Sequence, residues 1–280
     1  MIFGLGAAIA WGLADVGAAV VGRRIGSLAA LVLAQLASLA LILTWYLVER
    51  PVWSGTPGDV GILAMNGAIA AVAYVLLYRG LELGPIALVS PIVAAYAVPA
   101  IALAVILLDE SLSGAVLAGI VVTLAGVVLT SSDLRGVGAE RMSRAGVPVA
   151  LVSMLLFGLA TYVLGLEAQQ LGWLTAAVIG RVFSVLSLLV LAGVRRPRLL
   201  GDGVKGIGRA ALVGVADIAG VVFYSIGSER GLISIVTAAS ATFILIPVAA
   251  GILWLEERPA ATQLAGVALV VGGLLLLGLG

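Results

Sequence analysis

Cysteine and histidine are both absent from the 280 residues of this chain. Their absence removes disulfides, thiol nucleophiles, zinc and haem ligation, and His-based proton relays in one step. Charge is scarce as well. Only 10% of residues are Asp, Glu, Lys or Arg, where a soluble domain carries about a quarter. The net charge is +1 and no basic patch extends beyond short loops, so nothing points to a nucleic-acid partner. Catalytic motifs are missing too: there is no HExxH, no Gly-x-Ser-x-Gly and no Walker A loop. No cofactor and no metal are expected, and the chain is not expected to be an enzyme.

What is abundant is apolar surface. Hydrophobic residues make up 62% of the chain and the mean hydropathy is +1.26. Between short polar clusters run apolar segments of about twenty residues, the length that crosses a bilayer as an α-helix. Only a helix satisfies its own backbone there. Ten spans are expected, at roughly 2–21, 27–48, 60–81, 86–107, 114–131, 146–166, 172–193, 208–228, 232–254 and 260–279. The first lacks a basic leader and is read as a retained span.

The chain repeats itself. Shifted by 147 positions, Glu82, Gly84, Ile86 and Val89 fall on Glu229, Gly231, Ile233 and Val236. Leu108-Asp109-Glu110 falls on Leu255-Glu256-Glu257, Gly119 on Gly266 and Gly126 on Gly273. At an offset of 146, Trp11-Gly12-Leu13-Ala14 falls on Phe157-Gly158-Leu159-Ala160, and Gly26, Leu28 and Ser38 fall on Gly172, Leu174 and Ser184. The chain therefore divides into a five-span unit 1–131, a connection 132–145 and a second five-span unit 146–280. Five is odd, so the second unit enters the membrane from the opposite side. Inverted repeats are typical of transporters and put a solute site near the midplane between the halves.

Two five-span units, a Trp-Gly motif in the first helix, and Asp/Glu-Glu ahead of a glycine-bearing last helix together resemble the EamA family of the drug/metabolite transporter superfamily. The resemblance covers the whole chain. It implies a ten-helix secondary transporter in the cell membrane, often a metabolite exporter, whose partners are a small-molecule substrate and the lipid bilayer. Helices one, three and four of each half would enclose the cavity, with the last helix of each half behind them. With no ATP site, transport would run on a gradient, protons being one candidate. Monomer and homodimer both remain open. So do an uncoupled facilitator, a membrane scaffold, and an intramembrane enzyme built on Asp15 and Asp217.

A charge buried in a span costs several kcal/mol, so each needs a partner or a function. The deep polar residues are Asp15, Gln35, Asn66, Arg181 and Asp217. Arg181 and Asp217 lie at similar depth on consecutive spans, which predicts a buried ion pair. Asp15 sits one turn after Trp11 with no cation in its helix core. Desolvation favours the protonated form of such a carboxylate, so a proton and a cationic solute would compete for it. That resembles the first-helix glutamate of the small multidrug resistance proteins. The opposing structural reading has Arg181 neutralising Asp15 and Asp217 together; a third turns Asp15 towards Arg23 or Arg24. Tyr74, Tyr96, Tyr162, Tyr224 and Phe243 lie on the helices the resemblance places around the pathway. They are candidates for an aromatic wall able to hold an apolar or cationic solute.

Prolines mark the fourth span, with Pro91 and Pro99 inside it, and Pro247 lies in the matching ninth span; each is expected to kink its helix. Asp109-Glu110 and Glu256-Glu257 are expected to serve the N-termini of the helices that follow them. Glu82 and Glu229 are expected to pair with Arg79 and Arg230. The glycines spaced seven apart in the fifth and tenth spans are expected to pack helices closely. The connections on one side hold Arg23, Arg24, Arg79, Arg135, Arg141, Arg144, Arg195, Arg196, Arg198, Lys205, Arg209 and Arg258; those on the other hold only Arg50 and Arg230. The positive-inside rule then places both termini outside, whereas the resemblance favours termini in the cytoplasm.

Overall fold

The fold is that of a computed structural model, which describes residues 1–108, 113–132, 146–197 and 203–277. Every regular element among the described residues is helical. In chain order they are α1 (Ile2–Ile25), α2 (Ser27–Glu49), α3 (Pro57–Leu83), α4 (Ile86–Ala94), α5 (Ala97–Leu108) and α6 (Gly114–Ser132). The second half gives α7 (Gly146–Leu171), α8 (Trp173–Arg195), α9 (Gly203–Arg230), α10 (Ile233–Ala241), α11 (Leu245–Leu253) and α12 (Ala261–Leu277). Eight segments are long and apolar enough to span a bilayer, α4 with α5 and α10 with α11 each counting as one. Shorter apolar helices at Leu117–Leu129 and Ala261–Leu276 complete the ten. The fold is thus all-α, ten spans in two inverted five-helix repeats.

Local chemistry sets the helix ends. Thr56 and Asp59 form a reciprocal capping box at the start of α3, with Pro57 in the first turn. Gly26 (φ 89°) and Gly172 (φ 82°) allow α1 to turn into α2, and α7 into α8, across a single residue. These glycines are repeat counterparts, so the tight turn is built twice.

The fourth and ninth spans are both broken mid-membrane. Pro99 has no N–H for the Ala95 carbonyl, which instead accepts from Val98 at 2.9 Å, a tighter turn that separates α4 from α5. In the second half a 3-10 turn, Thr242–Ile244, separates α10 from α11 just ahead of Pro247. Pro91 lies within α4 without dividing it. The breaks are where the halves meet. A Cβ on Gly12 of α1 would lie 3.0 Å from the Phe243 carbonyl oxygen, and one on Gly158 of α7 2.9 Å from the Tyr96 carbonyl oxygen. Each first helix therefore rides on the broken span of the opposite half.

The last helices, α6 and α12, pack on each other by the same device. A Cβ on Gly126 would lie 2.7 Å from the Gly266 carbonyl oxygen, and one on Gly273 2.8 Å from that of Gly119. In lipid such backbone approach replaces hydrophobic driving force with dispersion.

Two end contacts correct the sequence expectations and a third agrees with them. Glu257 does not serve its own helix: Gln263 accepts from the Ala260 N–H at 2.8 Å there. Glu257 reaches across to α4, accepting from the N–H groups of Ile86 (3.0 Å) and Ala87 (2.9 Å), and Arg23 bridges it at 3.2 Å. Glu229 accepts from the Trp173 N–H at 3.1 Å, at the start of α8, while Arg230 lies over the Phe3 ring. Arg79 does pair with Glu82, at 2.8 Å. Asp109-Glu110, most of the connection 132–145, and Arg198 lie outside the described residues.

Gly126→Leu should lower stability by about 1–3 kcal/mol by forcing side-chain atoms into the α12 backbone. Gly272→Leu, on a side of α12 where an added Cβ meets nothing within 4 Å, is the control. Thermal unfolding in detergent should show a lowered Tm for the first and little change for the second.

Candidate functional site: a charged cavity between the halves

The helices that meet at the breaks enclose a cavity of about 120 Å³ near mid-span. α1 contributes Trp11 and Asp15, α3 contributes Asn66 and Tyr74, α8 contributes Arg181, and α9 contributes Asp217. Tyr96 and Phe243 enter from the two broken spans. These eight sequence candidates therefore share one wall. α6 and α12 contribute nothing to it.

Asp217 is held on every side. Arg181 Nη2 lies 2.9 Å from its Oδ2, Gln35 Nε2 donates to the same oxygen at 3.3 Å, and the Tyr74 hydroxyl donates to Oδ1 at 2.6 Å. Arg181 also donates to Gln35 Oε1, closing a ring across α2, α8 and α9, and its guanidinium sits 5.7 Å from the Tyr74 ring centroid. Both charged residues are buried. Charge-assisted hydrogen bonds of this kind offset the desolvation that a bare pair would suffer. Gln35 and Arg181 are repeat counterparts, so the bond between them joins equivalent points of the two halves.

Asp15 stands apart from this ring. It is buried, and its Oδ2 accepts from the Ser90 hydroxyl of α4 at 2.9 Å. Among the described residues it makes no ion pair: Arg181 goes to Asp217, and Arg23 goes to Glu257. The readings in which Asp15 joins Arg181 in a triad, or turns to Arg23, are therefore not the arrangement seen.

Aromatic rings flank Asp15. Trp11 and Tyr96 meet edge to face at 6.4 Å between centroids, and Tyr96 and Phe243 stack at 6.4 Å. Trp11 Nε1, Asn66 Oδ1 and Ser184 Oγ, all on cavity-lining residues, are buried without a hydrogen-bond partner among the described residues. Asn66 spends its amide donor on the Ala160 carbonyl at 3.1 Å.

Two sequence candidates lie elsewhere. Tyr162 packs with Ala100, Ala104 and Ile233, away from the cavity. Tyr224 is fully buried behind Trp11, its ring 5.7 Å away and its hydroxyl bonded to the Thr161 carbonyl and to Thr237. Neither Pro91, Pro99 nor Pro247 touches the cavity. Residues missed at the sequence level are Tyr78, Phe157, Thr161 and Ser90. The repeat carried a signal for two of them, since Phe157 and Thr161 are the counterparts of Trp11 and Asp15.

The sequence profile of the EamA-like transporter family matches residues 1–132 and 144–279. The chain belongs to the EamA-like transporter family. It is accordingly a multi-pass membrane protein of a transporter family, with a small-molecule substrate and the bilayer as its partners. No curated protein matches the chain. A solved structure titled only "Crystal structure of protein" is 18% identical, with a TM-score of 0.70 over 99% of this chain and 96% of its own. At that identity the likeness concerns the fold.

Arg181→Met alone leaves Asp217 buried without its cation and should cost about 3–5 kcal/mol. Asp217→Asn should also destabilise. The double change Arg181→Met with Asp217→Leu should recover much of the loss, because no charge then needs compensation. Chemical or thermal unfolding of the purified variants measures all three.

Proposed function

We propose that the chain is a secondary transporter that moves a small amine-bearing metabolite, amino-acid-like or a simple amine, by alternating access between two inverted five-span units. The units are 1–131 and 146–280, joined by 132–145. The proposed cycle is proton-coupled export, with no chemical change to the solute. One observation carries this reading: of the two buried aspartates in the cavity, Asp217 is saturated by Arg181, Gln35 and Tyr74, whereas Asp15 has only a serine hydroxyl. A carboxylate in that position is free to change partners. A proton satisfies it in one half of the cycle and a solute ammonium in the other. The rings of Trp11, Tyr96 and Phe243 suit a cation beside that carboxylate. Trp11 Nε1 and Asn66 Oδ1 supply an unspent donor and acceptor to orient the rest of the solute.

In proteoliposomes, Asp15→Asn should insert normally, lose uphill accumulation driven by a pH gradient, and keep solute exchange at equal pH. An Asp15→Asn protein that still accumulates solute against its gradient rules the coupling role out. Chemical analysis of the recovered solute tests the transporter class itself, since a modified product would indicate an enzyme.

Orientation follows from charge. We infer that the arginine-rich ends, at the α1–α2, α3–α4, α8–α9 and α11–α12 connections, face the cytoplasm, which leaves both termini outside. A reporter that is active only outside the cytoplasm, fused at the C-terminus, should give signal; a cytoplasmic C-terminus would overturn the assignment.

A further inference from the structure

Outside the central cavity the described residues form a groove of about 460 Å³ between α2, α3 and α8. It lies at the arginine-rich end. Its mouth carries Ser27, Arg79 and Arg195, at or near the ends of their three helices. Its floor is Leu28, Val75 and Leu191, with Tyr78 and the fully buried Leu31 behind them. Val75 and Leu191 each lie about one helical turn, roughly 6 Å, deeper than Arg79 and Arg195. Polar mouth and apolar floor thus follow the order of a phospholipid, headgroup first.

The repeat places different side chains at the two ends. At the opposite end of the bundle, the counterparts of Leu191 and Ser27 are Trp45 and Trp173. Those rings pack edge to face with centroids 5.0 Å apart, and Trp173 joins the cluster of Leu174, Ala177 and Val222. Two indoles occupy those positions there, where the arginine-rich end has a leucine and a serine beside the groove.

Charge selects the occupant. Arg79 pairs with Glu82 at 2.8 Å, and Glu82 also accepts from the Ser27 hydroxyl at 2.8 Å. Arg195 makes no ion pair among the described residues. The two arginines against one glutamate leave a single positive charge at the mouth, which one phosphodiester neutralises. Basic pockets between helices at the cytoplasmic boundary favour anionic lipids in this way. We propose that the groove is a binding site for an anionic phospholipid, its phosphate between Arg79 and Arg195 and one acyl chain over Leu28, Val75 and Leu191. The proposal rests on the orientation inferred above; Tyr78 lines both hollows, whereas Arg79 and Arg195 do not line the central cavity.

The test is native mass spectrometry of the intact protein in detergent, titrated with phosphatidylglycerol or phosphatidylcholine of identical chains. Wild type should retain phosphatidylglycerol in preference. Arg79→Gln with Arg195→Gln should retain roughly ten- to thirtyfold less, as expected for two interfacial charges. Leu191→Trp keeps both arginines and fills the floor with the indole that its counterpart Trp45 carries in the other half; it should lose the lipid with its Tm unchanged or raised. Equal retention of the two lipids, or wild-type retention by Leu191→Trp, overturns the proposal. Displacement of phosphatidylglycerol by millimolar inorganic phosphate, at equal potency whether or not the floor is filled, would make it an anion site and overturn the lipid assignment.

Discussion

A charge placed in hydrocarbon must find compensation, and this bundle is arranged around the way it does so. Arg181 and Asp217 neutralise each other, yet a pair alone would still lose more in desolvation than it gained. Gln35 and Tyr74 supply the remaining hydrogen bonds. The ring they form ties α2, α3, α8 and α9 together at mid-span. Asp15 is left with Ser90. The contrast between a saturated carboxylate and one that is nearly free, in one cavity, is the feature from which a transport cycle can be built.

The two halves share a frame and differ in chemistry. Gly12 and Gly158 seat each first helix on the opposite broken span, and Gly126 and Gly273 cross the last helices, in matched geometry. The polar lining of the cavity sits where counterparts diverge: Asp15 against Thr161, Asp217 against Ala70, Arg181 against Gln35, Tyr74 against Val221. A symmetric scaffold gives two equivalent ways of packing the halves, which suits rocking between them. Under the proposed function, an asymmetric set of polar groups would give those two arrangements different affinities for solute and proton. The same divergence recurs at the ends, with Trp45 and Trp173 against the Leu191 and Ser27 that line the groove.

Much of this was legible in the sequence because lipid simplifies the code. Span lengths, the repeat and the odd count of five lead to the fold without side-chain detail. The Arg181–Asp217 pair was readable because buried charges have few alternatives and consecutive spans are neighbours. Faces were not readable. A helix apolar on every side shows little difference between its buried and lipid-facing stripes, so Tyr162 and Tyr224 could not be told from Tyr74 and Tyr96. Long reaches were also hidden. Glu257 follows the usual acidic pattern ahead of a helix but caps α4 in the other half, a choice made by tertiary proximity. Ser90 is one of many small residues, and nothing in its neighbours marks it as the partner of Asp15.

The central claim is that solute and proton compete for Asp15. It is tested most directly by adding candidate amines and amino acids to purified protein in weakly buffered detergent, with a pH indicator present. The account predicts that a solute which binds releases a proton from wild type, and binds without proton release to Asp15→Asn if it binds that variant at all. Binding to wild type with no proton released, or release that persists in Asp15→Asn, would contradict it.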